Sequence, residues 1–269
     1  LSHNCSILNS LFSLSHSMLV FLTFLGLVLA TLLSPAARRQ MLSRTLGEWV
    51  LDGLGLWIQG VLIPVLQVWL VVRGCAWFFP HLQGWLHLPF WLAFLLNFVV
   101  IDYAYYWNHR LLHSQRFWPI HAVHHSAARF DVLITSRNTI WASLVIVYVW
   151  VNGVFTFLLA DPGPFLMAVA LTAALDLWRH TQVTFPAGSR WHRLLARVLI
   201  TPLEHQWHHS TTLANRNFGA NLSIWDRIHG TYHWSATPPE TLGVPVRLSL
   251  VRQLIFPFHQ ASEQENSAR

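Results

Sequence analysis

Nine of the 17 histidines in this chain form an ordered set whose spacing suits metal binding. The first group has the spacing H-x3-H, the second has H-x2-H-H, a single histidine at position 180 follows, and a later segment repeats H-x2-H-H. Residues at i, i+3 and i+4 lie on one face of a helix, so each group can direct two or three ring nitrogens at one point. The candidate ligands are His109, His113, His121, His124, His125, His180, His205, His208 and His209.

The number of histidines predicts two metal ions rather than one. One zinc ion takes three or four ligands, so nine histidines suit two ions with about four ligands each. The H-E-x2-H motif of zinc hydrolases is absent from the sequence. Neutral imidazole also binds iron, and a nitrogen-rich pair of iron ions can activate O2 to attack a C–H bond. We therefore expect a di-iron centre that uses O2 as a co-substrate.

The composition is that of a membrane protein. Hydrophobic residues make up 54% of the chain and charged residues only 10%, whereas soluble proteins carry about 25% charged residues. The formal net charge of +6 could suggest a nucleic-acid partner. However, all the basic residues are arginines spread along the chain, and no nucleic-acid motif accompanies them. We interpret these arginines as charges that flank membrane helices.

Apolar runs predict an all-α fold: an integral membrane bundle of about four to five hydrophobic helices with a cytoplasmic histidine-rich helical cap. The first run lacks a basic n-region and is expected to be retained rather than cleaved as a signal peptide. The last two runs either cross the membrane or form a re-entrant hairpin. The runs cover residues 11–33, 54–72, 86–107, 140–159 and 165–177.

The chain divides into N-terminal transmembrane helices (1–85), a catalytic region (86–235) and a C-terminal cytoplasmic segment with a polar tail (236–269). Two predicted helices, one out and one back, separate His113 from His180, so all the histidine groups are expected on one membrane face. Only Arg73 of the 17 arginines falls in a predicted outer loop when that face is cytoplasmic. The positive-inside rule therefore orients the histidines towards the cytoplasm.

Two acids in predicted membrane helices are candidates for a supporting role in catalysis. Asp102 lies seven residues before His109, and Asp176 lies four residues before His180. Acids in membrane helices are usually functional or paired. We expect each carboxylate to accept the outer N–H of a ligand histidine, although pairing with an arginine or with another helix would also explain it. Glu204 is a metal ligand or, preferably, an N-terminal helix charge.

The motifs together resemble the fatty acid hydroxylase superfamily, which includes sterol desaturases, C-4 sterol methyl oxidases and alkylglycerol monooxygenase. The histidine segments are N-H-R-L-L-H (108–113), H-A-V-H-H-S (121–126) and T-P-L-E-H-Q-W-H-H (201–209). The later block N-F-G (217–219) and L-S-I-W-D-R-I-H-G-T (222–231) resembles the block that follows the last histidines in that family. The resemblance covers residues 102 to 231 and does not extend to the N-terminal helices.

The resemblance implies that the nine histidines bind two metal ions, normally iron, and that the enzyme uses O2 and an external electron donor. A cytochrome b5-like or ferredoxin-like protein is the expected donor, and a bilayer lipid is the expected substrate. Phe218 replaces the usual tyrosine and His229 the usual phenylalanine, both outside the histidine clusters. Arg137 resembles a family arginine that braces the loop after the second cluster, or else it extends towards the membrane surface.

The predicted function is therefore oxidation of a C–H bond of a sterol, fatty acyl or ether lipid by hydroxylation or desaturation. Two alternatives stay open. An acyl-lipid desaturase on a different fold would have the same metal chemistry, but usually with longer and differently spaced clusters. A non-enzymatic membrane metal-binding or transport protein would need polar residues through its spans, and the predicted spans contain few.

Overall fold

The computed structural model describes residues 2–213 and 215–255, with side chains for residues 17–140, 142–213 and 215–255. Within these residues the chain is helical and has isolated bridges but no β-strand, which confirms the predicted all-α class. The predicted polar tail (260–269) lies outside the described residues. The helices are α1 (Ser2–Leu33), α2 (Pro35–Leu42), α3 (Leu46–Phe78), α4 (Phe90–Leu112), α5 (Trp118–His121), α6 (Ile140–Val145), α7 (Val147–Leu158), α8 (Gly163–Arg179), α9 (Arg190–Ala196), α10 (Pro202–His208), α11 (Ile224–Ile228) and α12 (Leu250–Ile255).

Two of the described helices are long and apolar enough to cross a membrane. They are α3, with 33 residues, and α4, with 23 residues. Helices α1 and α2 meet at an angle of 105° and count as a third span if the bent pair is taken as one. Large apolar side chains such as Trp69 and Phe90 are about 60% exposed on these helices, as expected where lipid covers the surface. The chain is thus an integral membrane protein.

The predicted fourth span is not one continuous helix. Ile146 has an extended backbone (φ −68°, ψ 125°) and separates α6 from α7, which has only 12 residues. Asn108 stabilises the break, since its amide donates to Val145 O (3.1 Å) and its Oδ1 accepts from Val147 N (3.3 Å). Backbone groups away from water must have such partners. Helix α8 has only 17 residues, and the predicted count of about four to five hydrophobic membrane helices is not confirmed.

A buried ion network connects the start of α3 to the loop after the second histidine group. Asp52 accepts from Arg44 Nε (2.9 Å) and Arg137 Nε (2.6 Å), and Arg44 also donates to Asp131 (2.7 Å). The four side chains are at most 4% exposed. Gly55 lets α3 pack closely against the loop at Ser136, because a Cβ at position 55 would lie 2.1 Å from Ser136 O. Arg137 therefore braces its loop, and the alternative of a membrane-surface arginine was wrong.

We expect Asp52→Asn to lower the melting temperature of the detergent-solubilised protein by about 10 °C. Breaking a buried ion pair costs about 3–5 kcal/mol, which corresponds to a shift of this order in a chain of this size. Arg129→Gln is the control, because Arg129 pairs with Glu48 at a half-buried position where both side chains are about a quarter exposed. The control should shift the melting temperature by less than about 3 °C. Equal shifts for both variants would contradict the assignment.

Candidate metal centre

All nine predicted histidines come together in one buried region. They are contributed by the end of α4, the segment around α5, the residue after α8, and the end of α10. Their nitrogens form two groups, and within each group the candidate ligand atoms lie within 4.8 Å of one another, so each group could hold a metal ion. The five-histidine group contains His109, His113, His121, His125 and His208, and the four-histidine group contains His124, His180, His205 and His209.

The two H-x2-H-H motifs are divided between the groups in opposite ways. His121 and His125 join the five-histidine group, while His124 between them joins the four-histidine group. In the second motif, His205 and His209 join the four-histidine group, while His208 joins the other. Residues i and i+4 lie about 40° apart around a helix and residue i+3 lies about 60° to the other side. The expectation that each cluster directs two or three ring nitrogens at one point is thus met by two rings of each H-x2-H-H motif, while the third ring faces the other histidine group.

The facing nitrogens lie at separations that suit ligands of a common ion. In the five-histidine group, Nε2 of His121 lies 3.0 Å from Nε2 of His109. In the four-histidine group, Nε2 of His180 lies 3.2 Å from that of His124 and 2.9 Å from that of His205. Two nitrogens at right angles around one ion, each about 2.1 Å from it, would lie about 3 Å apart. Both groups therefore fit a bound metal ion.

Backbone carbonyls orient four of the rings. Each ring donates its Nδ1–H to a carbonyl oxygen, which leaves Nε2 with its lone pair free for a metal. The donor–acceptor pairs are His109 with Phe218 O (2.8 Å), His124 with Arg137 O (3.2 Å), His180 with Asp176 O (2.8 Å) and His208 with Arg216 O (2.7 Å). The loops at 137 and 216–218 thus set the tautomers of the candidate ligands.

The remaining nitrogens show the chemistry of a ligand set. Among the described residues, Nε2 of His113, Nε2 of His208 and both nitrogens of His209 are buried without a hydrogen-bond partner, although buried polar atoms normally have one. Burial lowers the pKa of His124 to about 3, and burial together with neighbouring imidazoles lowers the pKa of His205 well below 6.5. These shifts favour the neutral imidazole, the form that binds a metal ion.

Within the described residues, Asp102 forms no hydrogen bond with a histidine. Its carboxylate accepts from Asn221 N (2.8 Å), Leu222 N (3.1 Å) and Trp225 Nε1 (2.8 Å), and the residue is 1% exposed. The expected bond to a ligand histidine was wrong, because a backbone carbonyl already accepts the outer N–H of His109. Asp102 instead binds the segment that follows that carbonyl in sequence.

Asp176 contacts His180 mainly through its backbone. The His180 Nδ1–H donates to Asp176 O at 2.8 Å, while the nearer carboxylate oxygen lies 3.5 Å from the same nitrogen. That oxygen also accepts from Arg179, which donates in addition to Ala220 O. The side chain of Asp176 keeps 40% of its surface exposed and lines a cavity. Both sequence interpretations, a histidine partner and an arginine partner, thus describe part of its contacts.

We expect Asp176→Asn to lower iron affinity by about tenfold, the smaller end of the range for residues that orient metal ligands. The backbone carbonyl still holds His180 in the variant, whereas the negative charge near the ring is lost. Iron titration of metal-stripped protein measures the effect, and excess iron should largely restore activity. Wild-type affinity at limiting iron would show that the carboxylate serves only to pair with Arg179.

Glu204 belongs to neither metal group. It forms a capping box with Thr201 at the start of α10, and its other oxygen accepts from His192 Nε2 (3.2 Å). His192 Nδ1 accepts from Gly188 N, which fixes the proton on Nε2. The preferred reading of Glu204 as an N-terminal helix charge is confirmed. The sequence indicated no role for His192, whose bond to Glu204 holds α9 against α10.

The N-F-G and W-D segments build the loop that carries the Phe218 carbonyl. Asp226 accepts from Phe218 N (2.8 Å), Gly219 N (2.7 Å) and Thr231 Oγ1 (2.7 Å). A Cβ at Gly219 would lie 2.7 Å from Leu222 O, so only glycine fits this turn. The Phe218 ring packs 5.1 Å from the His113 ring, outside the ligand set. The block therefore aims the Phe218 carbonyl at His109.

A cavity of about 260 Å³ reaches both histidine groups from between the apolar helices. His109 and His121 of the five-histidine group line it together with three members of the four-histidine group. Its walls come from α3, α4, α6, α7 and α8. Tyr105 stands beside His109 with ring centroids 5.4 Å apart and stacks on Tyr148 at 4.8 Å. A small molecule or lipid segment in this cavity would lie against both candidate metal sites.

A family model described as fatty acid hydroxylase matches residues 94–231, which include all nine histidines and the block after them. The chain belongs to the fatty acid hydroxylase family. The matched region ends at residue 231, as the resemblance of the motifs indicated, and begins at residue 94 instead of residue 102.

Curated relatives of this chain include proteins named as a lipid hydroxylase and as alkylglycerol monooxygenases. The chain is 34% identical over 193 residues to the ornithine lipid hydroxylase OlsE of Rhizobium tropici, covering 66% of this chain and 56% of that protein. It is 30% identical over 145 residues to alkylglycerol monooxygenase of Danio rerio and 28% over 138 residues to that of Homo sapiens. These matches cover 53% and 50% of this chain, and 30% and 29% of those proteins. No solved structure matches the chain.

Proposed function

We propose that this chain is a membrane-bound di-iron oxidoreductase that uses O2 to hydroxylate or desaturate a C–H bond of a lipid. The observation that carries the proposal is the pair of buried histidine groups that face one cavity among apolar helices. The relatives are named as a lipid hydroxylase and as monooxygenases of alkylglycerols, which supports a lipid substrate.

In this proposal each histidine group holds one iron ion. Bound iron would activate O2 as the oxidant of the C–H bond. Hydroxylation inserts one oxygen atom into the C–H bond and releases the other as water, consuming two electrons and two protons. The electrons come from an external carrier of the cytochrome b5 or ferredoxin type. The protein's part is to orient the rings through the carbonyls of Phe218, Arg137, Asp176 and Arg216 and to exclude bulk water by burial.

We further propose that the histidines lie on the cytoplasmic face and that the chain consists of N-terminal transmembrane helices (1–85), a catalytic region (86–235) and a C-terminal cytoplasmic segment (236–269). Four to five helices then lie within the membrane, with α7 and α8 as short segments that leave and return to the same side. The bias of arginines supports this orientation, because Arg73 alone falls in a predicted outer loop.

Cysteine labelling tests the orientation. In a background without Cys5 and Cys75, Gln83→Cys should react with a membrane-impermeant reagent added outside intact cells. Gln115→Cys and Thr237→Cys should react only after permeabilisation. All three positions are exposed in the structure, so access to the reagent depends on the side of the membrane. Labelling of Gln115→Cys from outside would contradict the proposed topology.

The activity is tested by lipid analysis of cells with and without the gene, grown under O2 that is labelled with the heavy oxygen isotope. Hydroxylation predicts a lipid product that carries one labelled oxygen atom from O2, whereas desaturation predicts a product two hydrogens lighter without label. A matched strain that carries the His124→Ala variant separates catalysis from effects of expression. An unchanged lipid profile in all strains would contradict the proposal.

A further inference from the structure

The cavity wall away from the histidines carries neutral polar side chains. Gln59 and Gln67 of α3, Asn97 of α4 and Asn152 of α7 all line it. Polar side chains among apolar membrane helices are costly and usually functional. A cavity that received only a hydrocarbon chain would not need them, because apolar side chains would line it more favourably.

Most of these groups are satisfied inside the protein. Gln67 Nε2 donates to the carbonyl oxygens of Tyr148 (3.3 Å) and Val149 (2.9 Å) near the break between α6 and α7. Gln59 donates to Ser143. Asn97 Nδ2 donates to Asn152 Oδ1 at 3.0 Å. These bonds hold α3 and α4 against the α6–α7 segment and explain much of the polarity of the wall.

Among the uncharged cavity residues outside the two histidine groups, two buried polar atoms have no partner within the described part of the chain. They are the side-chain carbonyl Oδ1 of Asn97 and the hydroxyl of Tyr148. Asn97 is 2% exposed, and its amide is fixed by the bond to Asn152. Oδ1 can only accept a hydrogen bond, whereas a tyrosine hydroxyl can donate one. Unpaired buried polar atoms are rare, and each needs an explanation.

The two atoms belong to one row of side chains that leads away from the histidines. Tyr105 connects His109 to Tyr148 through ring contacts of 5.4 and 4.8 Å. One helical turn beyond Tyr148 on α7 lies Asn152, which bonds Asn97. Asn97 precedes His109 by 12 residues on α4, which corresponds to roughly 18 Å along the helix. A group bound to this row would be held at a set distance from the candidate metal centre.

We propose that Asn97 and Tyr148 form a polar subsite that binds a neutral substrate group with both a hydrogen-bond donor and an acceptor, the chemistry of an amide or a hydroxyl. The Asn97 carbonyl accepts the substrate's N–H or O–H, and the Tyr148 hydroxyl donates to its oxygen. The charged lining residues Asp176 and Arg179 pair with each other on α8, which favours a neutral ligand group. This inference rests on the proposed function and narrows its substrate class.

Matched probes separate the two contacts. The probes are a long-chain secondary amide, the ester of the same length, the corresponding alcohol and the plain alkane. Their affinities for the purified full chain in detergent are measured by competition against a fluorescent lipid, without turnover. The amide should bind about tenfold more tightly than the ester, because the ester lacks the N–H that Asn97 accepts. The alcohol should also bind about tenfold more tightly than the alkane.

The variants have different expected signatures. Asn97→Leu should weaken the amide by about tenfold and leave the ester unchanged, whereas Tyr148→Phe should weaken both by a similar factor. Tyr148→Phe removes a hydroxyl without an internal partner, so its melting temperature should match the wild type and the test survives if Asn97→Leu fails to fold. Tyr103→Phe is the control, because its hydroxyl contacts His229 outside the cavity.

Equal wild-type affinities for amide, ester, alcohol and alkane would overturn the subsite, even if the protein oxidises lipids. Unchanged probe affinities in both cavity variants would overturn it as well. Selective binding in the wild type that each variant weakens as described, in a protein without O2-dependent oxidation, would support the subsite and count only against the proposed function. An active enzyme that shows the predicted selectivity supports both.

Discussion

His124→Ala is expected to reduce lipid oxidation more than 100-fold, beyond the range found for residues that only orient metal ligands. His124 is the single residue of its H-x2-H-H motif that faces the four-histidine group. Its loss leaves three histidines there, while the five-histidine group keeps every member. We therefore expect the variant to retain about one iron ion per chain. Metal analysis and lipid product formation, measured on the same preparation, check both effects.

His208→Ala provides the reciprocal test. His208 is the member of the second H-x2-H-H motif that faces the five-histidine group, and its loss leaves four histidines there. Iron should then be retained better than in His124→Ala, although activity should still fall, because the ring that Arg216 O orients within the five-histidine group is lost. His87→Ala is the control and should leave iron content and activity unchanged, because His87 is exposed and precedes the start of α4, at the opposite end of that helix from the histidine groups. Equal iron loss from both sites in His124→Ala would contradict the crossed arrangement of the motifs.

Asp102→Asn is expected to lower the melting temperature by about 10 °C and activity by more than tenfold. The carboxylate accepts three N–H donors, and an asparagine amide would turn its own N–H groups towards at least one of them. A buried donor left without an acceptor costs about 1–3 kcal/mol, and bonds to a charged group cost the most. Release of the segment at 221–225 should then displace the Phe218 carbonyl from His109.

The contrast with Asp176→Asn makes this prediction specific. Excess iron should restore the activity of Asp176→Asn, because the His180 ring still donates to the backbone carbonyl of residue 176. It should not restore the activity of Asp102→Asn, because the loop that carries the Phe218 carbonyl has moved. Thermal melting in detergent and iron titration separate the two cases. If added iron fully restored Asp102→Asn at wild-type stability, the loop-anchoring role would be ruled out.

The candidate ligands were predictable because their signal is local. Histidine at i, i+3 and i+4 is visible in a single stretch of sequence, and the structure places all nine rings in one region. The division of each motif between two groups was not predictable from the same spacing. It depends on where the second motif approaches the first, and such contacts join residues far apart in sequence. His124 and His180, for example, are separated by 56 positions.

The roles of the acids show the same limit. The helical spacing of Asp102 and His109 suggested a contact, yet the donors that Asp102 binds lie 119 to 123 positions later. Asp52 gave no signal, because its arginine partners at 44 and 137 come from separate segments. The break at Ile146 was also hidden, since no proline or glycine marks it and Asn108 stabilises it from another helix.

The iron content of the wild-type protein tests the central claim most directly. The full chain, purified in detergent after reconstitution with ferrous iron under anaerobic conditions, should contain close to two iron ions per polypeptide. His124→Ala in parallel should contain close to one. Exposure of the wild-type protein to O2 should then consume O2 in proportion to bound iron. A stoichiometry of one iron in the wild type, or a stable zinc complex without iron-dependent activity, would contradict the account.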